Sequence, residues 1–205
     1  MKYEDIEIFR INHDAFKIKG NKTVYIDPFK IQAFDKADFV LISHNHYDHL
    51  SIDDIKKVIA KNTILIASPN CEKLKDFKEN KIVFLNPGEK FQDIIKVEAV
   101  HAYNINKNFH PRSYNGVGFV LEIDSKRIYH AGDTDFIPEM KNLKNIDVAL
   151  LPVSGTYVMT PEEAVQAANL IKPKLAIPMH YGSIVGTEKD ALKFKELYKG
   201  NCETI

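Results

Sequence analysis

The chain has 205 residues, enough for one sizeable core, and its 44% hydrophobic and 27% charged content is a globular balance rather than a disordered one. With 28 basic and 28 acidic side chains the formal net charge is zero, so no global field draws nucleic acid or an anionic membrane. No apolar run approaches the ~18 residues of a membrane span. The charged start Met1-Lys2-Tyr3-Glu4-Asp5 carries no signal peptide, and Cys71 and Cys202 form no CxxC pair, so two reduced thiols and a cytoplasmic location are expected.

Strands are predicted first, at residues 6–11, 15–19 and 23–26, the last two joined by Gly20-Asn21 as a hairpin turn. Phe39-Val40-Leu41-Ile42 is a continuous apolar run of buried-strand type ending on Ser43-His44. A helix capped by Ser51 follows, with Ile52, Ile55, Val58 and Ile59 on one face. Next come a strand at 64–67, a helix at 69–78, a strand at 82–85, a turn at Pro87-Gly88 and a strand at 94–100 that ends at His101.

Residues 102–115 lack periodicity, and long irregular stretches in compact domains are often functional. Strands at 118–123 and 127–131, a short helix at 137–143 and a strand at 148–153 follow. Thr160-Pro161-Glu162-Glu163 carries a cap, a proline at the first helical position and a capping-box glutamate, starting a helix that stops before Pro173. A strand at 175–179 delivers His180, and a helix at 188–199 closes the chain. With no repeat or linker, residues 1–205 are expected to form a single α/β domain with an internal sheet sandwich and outer helices.

The chemistry is concentrated in His44-Asn45-His46-Tyr47-Asp48-His49, three imidazoles and a carboxylate within six residues of a strand end. Alternate positions there can point the same way, so His44 and His46 can share one ion, while Asp48 and His49 turn toward a second. Neutral imidazole and carboxylate are donors for zinc, iron or manganese. His101, Asp133 and His180 also sit at the ends of apolar strands. Each is a weak signal alone: His101 also reads as a loop histidine and Asp133 as a turn cap. Together they place ligand-type side chains around one rim.

The complete HNHYDH run, with His101, Gly132-Asp133-Thr134 and His180, resembles the metallo-β-lactamase superfamily of metallohydrolases over nearly the whole chain. Tyr25-Ile26-Asp27-Pro28, Ala131-Gly132-Asp133-Thr134 and Pro178-Met179-His180-Tyr181-Gly182 resemble the branch that includes ascorbate-phosphate lactonases and N-acyl-phosphatidylethanolamine phospholipase D. The resemblance implies a four-layered αββα sandwich with two divalent ions, zinc first and manganese or iron as alternatives. It implies His44, His46 and His101 on one ion, Asp48, His49 and His180 on the other, and Asp133 bridging. Asp48 would also accept the proton of the attacking water.

Tyr103, Asn104, His110, Arg112 and Tyr114 of the irregular segment, with Tyr181, read either as a substrate rim or as a solvated loop with packed aromatics; in the first reading Arg112 holds a phosphate or carboxylate. Asp27 reads as a hydrogen-bond partner of a ligand histidine or as a strand terminator, and His130 as structural or as a support beside the metals. Asn45 and Tyr47 read as spacers. The expected activity is cleavage of an ester-type bond, a lactone or phosphodiester, in a small-molecule substrate, with no nucleic-acid partner. An iron-binding redox or sensor protein, a nuclease and a metal-stabilised structural protein are the alternatives. The oligomeric state is open, a homo-oligomer included.

Overall fold

The structure is a computed structural model that describes residues 1–32 and 35–205. The first sheet holds β1 (Lys2–Tyr3), β2 (Ile6–Asn12), β3 (Ala15–Lys19), β4 (Thr23–Ile26), β5 (Phe39–Ile42), β6 (Ile64–Ala67) and β7 (Lys81–Phe84), in that order. Its strands pair antiparallel from β1 to β4 and parallel from β4 to β7. The second sheet holds β8 (Lys90–Gln92), β9 (Lys96–His101), β10 (Val117–Ile123), β11 (Lys126–His130), β12 (Val148–Pro152) and β13 (Leu175–Met179), again as sequential neighbours. It too is antiparallel at first, from β8 to β11, then parallel from β11 to β13.

Parallel neighbours need crossovers. Helix α1 (Ile52–Val58) links β5 to β6, and α2 (Pro161–Ile171) links β12 to β13; α3 (Glu188–Leu197) follows β13. Ser51 caps α1 from its side chain, and Thr160 with Glu163 closes a full capping box on α2. The alternating strands send one set of residues inward. Ile8, Phe16, Ile18, Leu41, Val97, Phe119, Leu121 and Ile128 belong to one buried cluster. Strand β5 is buried on both faces, which is why its sequence is an unbroken apolar run: Leu41 joins that cluster, while Val40 and Ile42 join Leu65 and Ala67 against Ile55 and Val58 of α1. The small residues Ala164, Ala167 and Ala168 are the buried face of α2, which packs on β12 and α3. The result is the αββα sandwich, α1 outside one sheet and α2 with α3 outside the other.

The predicted helix at 69–78 is only a 3-10 turn, Glu72–Asp76, in which Leu74 alone is buried and no side chain caps the start. The segment 137–143 is likewise a 3-10 turn, Pro138–Asn142. Strands β1 and β8, with two and three residues, are too short to show alternation in the sequence. What the topology does for function is collect strand ends. The β2–β3 turn and the C-terminal ends of β4, β5, β9, β11, β12 and β13 open at one edge of the sandwich.

Candidate metal centre

Two groups of ligand-type atoms form at that edge. His44, His46, His110 and Asp133 make one; Asp14, His49, Asp133 and His180 make the other, the atoms of each lying within 4.8 Å of one another. Asp133 belongs to both. Its Oδ2 is 3.9 Å from His44 Nε2, 3.3 Å from His110 Nε2 and 3.4 Å from His180 Nε2, and its Oδ1 is 3.4 Å from His49 Nε2. His46 joins through Nδ1, 3.0 Å from His44 Nε2 and 3.1 Å from His110 Nε2. His49 Nε2 stands 4.0 Å from Asp14 Oδ2 and 3.7 Å from Asp48 Oδ2.

For His44, His49, His110 and His180 the remaining ring nitrogen is held by the fold. His49 Nδ1 is 2.8 Å from Asp27 Oδ2, His44 Nδ1 2.9 Å from Ser43 Oγ, His180 Nδ1 2.7 Å from Ser154 Oγ and His110 Nδ1 3.2 Å from Asn104 Oδ1. A partner on Nδ1 fixes the ring and leaves Nε2 to face the cluster. Asp27 itself accepts from the Ser43 backbone N–H at 2.7 Å and the Ser43 hydroxyl at 2.6 Å, tying the end of β4 to the end of β5.

Local sequence explains each placement. Gly132 has φ +62°, and a Cβ there would come within 2.7 Å of the Val117 carbonyl, so only glycine lets β11 turn Asp133 into the edge. His130 braces the same turn: its Nε2 donates to the Asp14 carbonyl at 2.9 Å and its Nδ1 accepts from the Gly132 N–H at 3.3 Å. His13 and His180 both have left-handed backbone, and the His180 N–H donates to the His13 carbonyl, which stitches the β2–β3 turn to the end of β13. Asp135 anchors the long loop by accepting from the Ile105 N–H, Lys107 Nζ and Asn104 Nδ2, and Asn104 in turn accepts from the His110 N–H.

The residues fit a divalent cation. Buried polar atoms normally have hydrogen-bond partners. Here Asp14 Oδ1 and Oδ2, His49 Nε2 and Asp133 Oδ1 are buried without one, and all belong to the second group. Burial holds the His44 and His49 imidazoles well below the usual histidine range, and burial with the neighbouring His46 brings His110 to about 4. These rings are therefore neutral donors at neutral pH, the form that binds metal. Burial pushes Asp14 and Asp133 well above the usual carboxylate range, the behaviour of acids that need a cation beside them to ionise.

The predicted site residues divide by where the fold places them. His44, His46, His49, Asp133 and His180 come together. His101 does not: it ends β9 beside the Tyr103 ring and lines a separate cavity with Glu139 and Met140. His110, expected at the substrate rim, lies in the first group instead, because the loop after β9 folds back through Asn104. Asp48 is adjacent to the second group and lines the cavity over the centre. Tyr103 and Arg112 turn away: Tyr103 Oη donates to Glu139 at 3.0 Å, and Arg112 lies over the Tyr103 ring and pairs with Glu139 at 2.9 Å. Tyr181 is buried under the Arg10 guanidinium. Tyr114 donates to Asn45, so Asn45 anchors the loop rather than only spacing the histidines. Asp14 and His13 are not singled out by the sequence, although Asn12-His13-Asp14 ends a strand with ligand-type residues as the other segments do.

A family model described as a β-lactamase superfamily domain matches residues 7–180. A UPF0173 metal-dependent hydrolase of Thermoplasma volcanium is 34% identical over 94% of this chain and 91% of its own, and one of Pyrococcus abyssi is 32% identical over 98% and 95%. Among solved structures, a protein of Parabacteroides distasonis assigned as a metal-dependent hydrolase superposes with a TM-score of 0.85 at 35% identity, covering 97% of this chain and 92% of that one. Sequence, fold and ligand edge agree: the chain belongs to the metallo-β-lactamase superfamily and is a metal-dependent hydrolase.

Proposed function

We propose that residues 1–205 act as one hydrolase unit that holds two divalent ions and cleaves an ester-type bond, a lactone or a phosphodiester, in a small molecule. The observation that carries this reading is the pair of ligand groups sharing Asp133, with four of the buried donor atoms lacking any protein partner. His44, His46 and His110 would hold one ion and Asp14, His49 and His180, with Asp48 alongside, the other, Asp133 serving both. Bound there, the ions supply an acidified water and an electrophile for the oxygen of the scissile bond. The branch that includes ascorbate-phosphate lactonases and N-acyl-phosphatidylethanolamine phospholipase D fits the Asp27-Pro28 and His180-Tyr181-Gly182 segments.

The chain's own groups do the rest. Asp48 Oδ2 faces the cavity and is the group placed to take the proton of the attacking water; burial raises its pKa, which suits a proton acceptor working near neutral pH. His13 Nε2 stands 3.7 Å from Asp48 Oδ2, and its ring lies tilted against the His180 ring at 4.0 Å between centroids. Asp27 and Ser154 hold the His49 and His180 rings in register.

Zinc suits the histidine-rich first group. The second group adds Asp14 to the shared Asp133, with Asp48 alongside, and that set of oxygens also suits manganese or iron. Metal analysis of freshly purified protein tests the reading, together with a hydrolysis screen of lactones, phosphodiesters and thioesters. Two ions per chain, and loss of metal and activity in His46→Ala, are expected. Retained metal and undiminished hydrolysis in that variant would refute it.

A further inference from the structure

The cavity above the ligand edge, ≈ 220 Å³, has a floor made of His46, Asp48, His110 and Asp133 and walls made of Tyr47, Phe109, Tyr157 and Ile184. It lies below the ~300 Å³ at which ligand pockets ordinarily begin. The walls come from three loops, those after β5, β9 and β12, and from the turn after β13. Two of the wall residues are large, apolar and open to solvent: Tyr47 is 68% exposed and Phe109 50%. Each leans edge-on against a second ring, Tyr47 on Phe29 at 6.0 Å and Phe109 on Tyr157 at 4.6 Å, which fixes where its face points. Exposed to this degree they contribute little to the core, and both face the same cavity.

No lysine or arginine lines this cavity among the described residues. The cations nearby are engaged elsewhere. Arg112 is paired with Glu139, Lys107 with Asp135 at 2.6 Å, and Lys30 donates to Ser183 Oγ at 3.1 Å while lying over the Phe29 ring. The floor, by contrast, carries two carboxylates. A charged substituent on the part of the substrate that lies against the walls, away from the ions the floor would hold, would meet aromatic faces with no lysine or arginine to pair it.

We propose that the substrate is a small ester or lactone whose non-reacting part is neutral, apolar and flat, seated between Tyr47, Phe109, Tyr157 and Ile184; this rests on the ester-cleaving reading above and removes from it substrates that carry a phosphate or carboxylate on that part. Burying a phenyl-sized group there favours it by ~30-fold over a methyl group. Tyr47 and Phe109 set that preference from two separate loops.

The test uses the metal-loaded protein with methyl acetate, benzyl acetate and 4-carboxybenzyl acetate as substrates. Benzyl alcohol and 4-(hydroxymethyl)benzoate serve as unreactive probes, followed by ligand-observed NMR. Benzyl acetate is expected to exceed methyl acetate by ~10-fold or more in kcat/KM, and its carboxylated analogue to fall by a similar factor. Phe109→Ala and, independently, Tyr47→Ala should shrink the benzyl-over-methyl ratio to within ~3-fold at unchanged metal content. Both side chains are solvent-exposed, so neither replacement empties the core. If no ester is turned over yet benzyl alcohol binds the wild type and not Phe109→Ala, the pocket assignment stands and the ester reading falls. If esters are turned over with no benzyl preference, or the carboxylated ester does as well, the pocket assignment is overturned and the hydrolase reading survives.

Discussion

Replacing His110 and His101 in parallel separates two versions of the centre. His110 Nε2 is one of four donor atoms in the first group, whereas His101 lies in neither group. Structural zinc bound by four ligands in zinc-finger peptides is worth about 10–16 kcal/mol, so one ligand accounts for roughly 2.5–4 kcal/mol if the four share equally. His110→Ala should therefore weaken the ion in the first position by ~10²–10³-fold. His101→Ala should leave affinity within about 2-fold, since it removes a partly exposed side chain that touches the Tyr103 ring. Competition titration of each metal-free variant against a chromophoric chelator measures both values directly. Normal affinity in His110→Ala with weakened binding in His101→Ala would refute the assignment of His110 and mean that the loop after β9 folds the other way around the metal.

Asp14→Ala should remove the second ion, lowering metal content toward one per chain, and should raise the melting temperature of the metal-free protein. It deletes a buried carboxyl with both oxygens unpartnered, worth about 1–3 kcal/mol, or roughly 2–10 °C in a chain of this size. Chelating the native protein should lower its melting temperature, by roughly 5–10 °C where metal had been present at ~100 times its dissociation constant. The acid limb of stability is expected to depend on Asp54. Burial raises that carboxyl, but donation from Lys57, Ser51 and the Lys30 and Ile31 backbone outweighs it and holds the group below the usual carboxylate range. A carboxylate lowered by folding stabilises above its unfolded pKa and loses that contribution as pH falls through the folded value. The wild type should thus melt higher than Asp54→Asn at pH 5–7, with the gap closing below about pH 4; a gap independent of pH would reject the ionised cap.

Much of the proposed centre is legible in the sequence because residues of ligand type stand out there. Three histidines in one short run have no ordinary structural use, and Asp133 and His180 follow apolar strands that must end at a sheet edge. His101 misleads for a physical reason. It ends β9 as a ligand might, but the segment after it is a loop whose path depends on Asn104 and Asp135, side chains 31 residues apart that meet only in the folded chain. No periodicity reports such a path, so His110 looks like a rim residue. Asp14 is hidden because a lone aspartate in a hairpin turn is the commonest kind of turn residue. The two 3-10 turns look like helices on paper because their charged residues have good helix propensity, but each buries too few side chains to sustain one.

The arrangement also shows where the fold bears its cost. Ligand-type atoms from both sheets are brought to one edge, and several of the turns that deliver or brace them are in an uncommon conformation: His13, Asp27, Gly132 and His180 all have positive φ. Three of these are not glycine, and such residues are held there only when surrounding contacts over-determine them. Those contacts are present, from His180 N–H to the His13 carbonyl, from His130 to both Asp14 and Gly132, and from Asp27 to Ser43. They make the edge rigid without satisfying it, because the donors they position still lack partners. A metal ion answers that deficit for several atoms at once, which a single hydrogen-bonding side chain cannot do. Deleting Asp14 should for that reason help the metal-free chain and harm the loaded one. A stability scan of the edge residues, run with and without metal, should likewise change sign at the ligands and not at their supports.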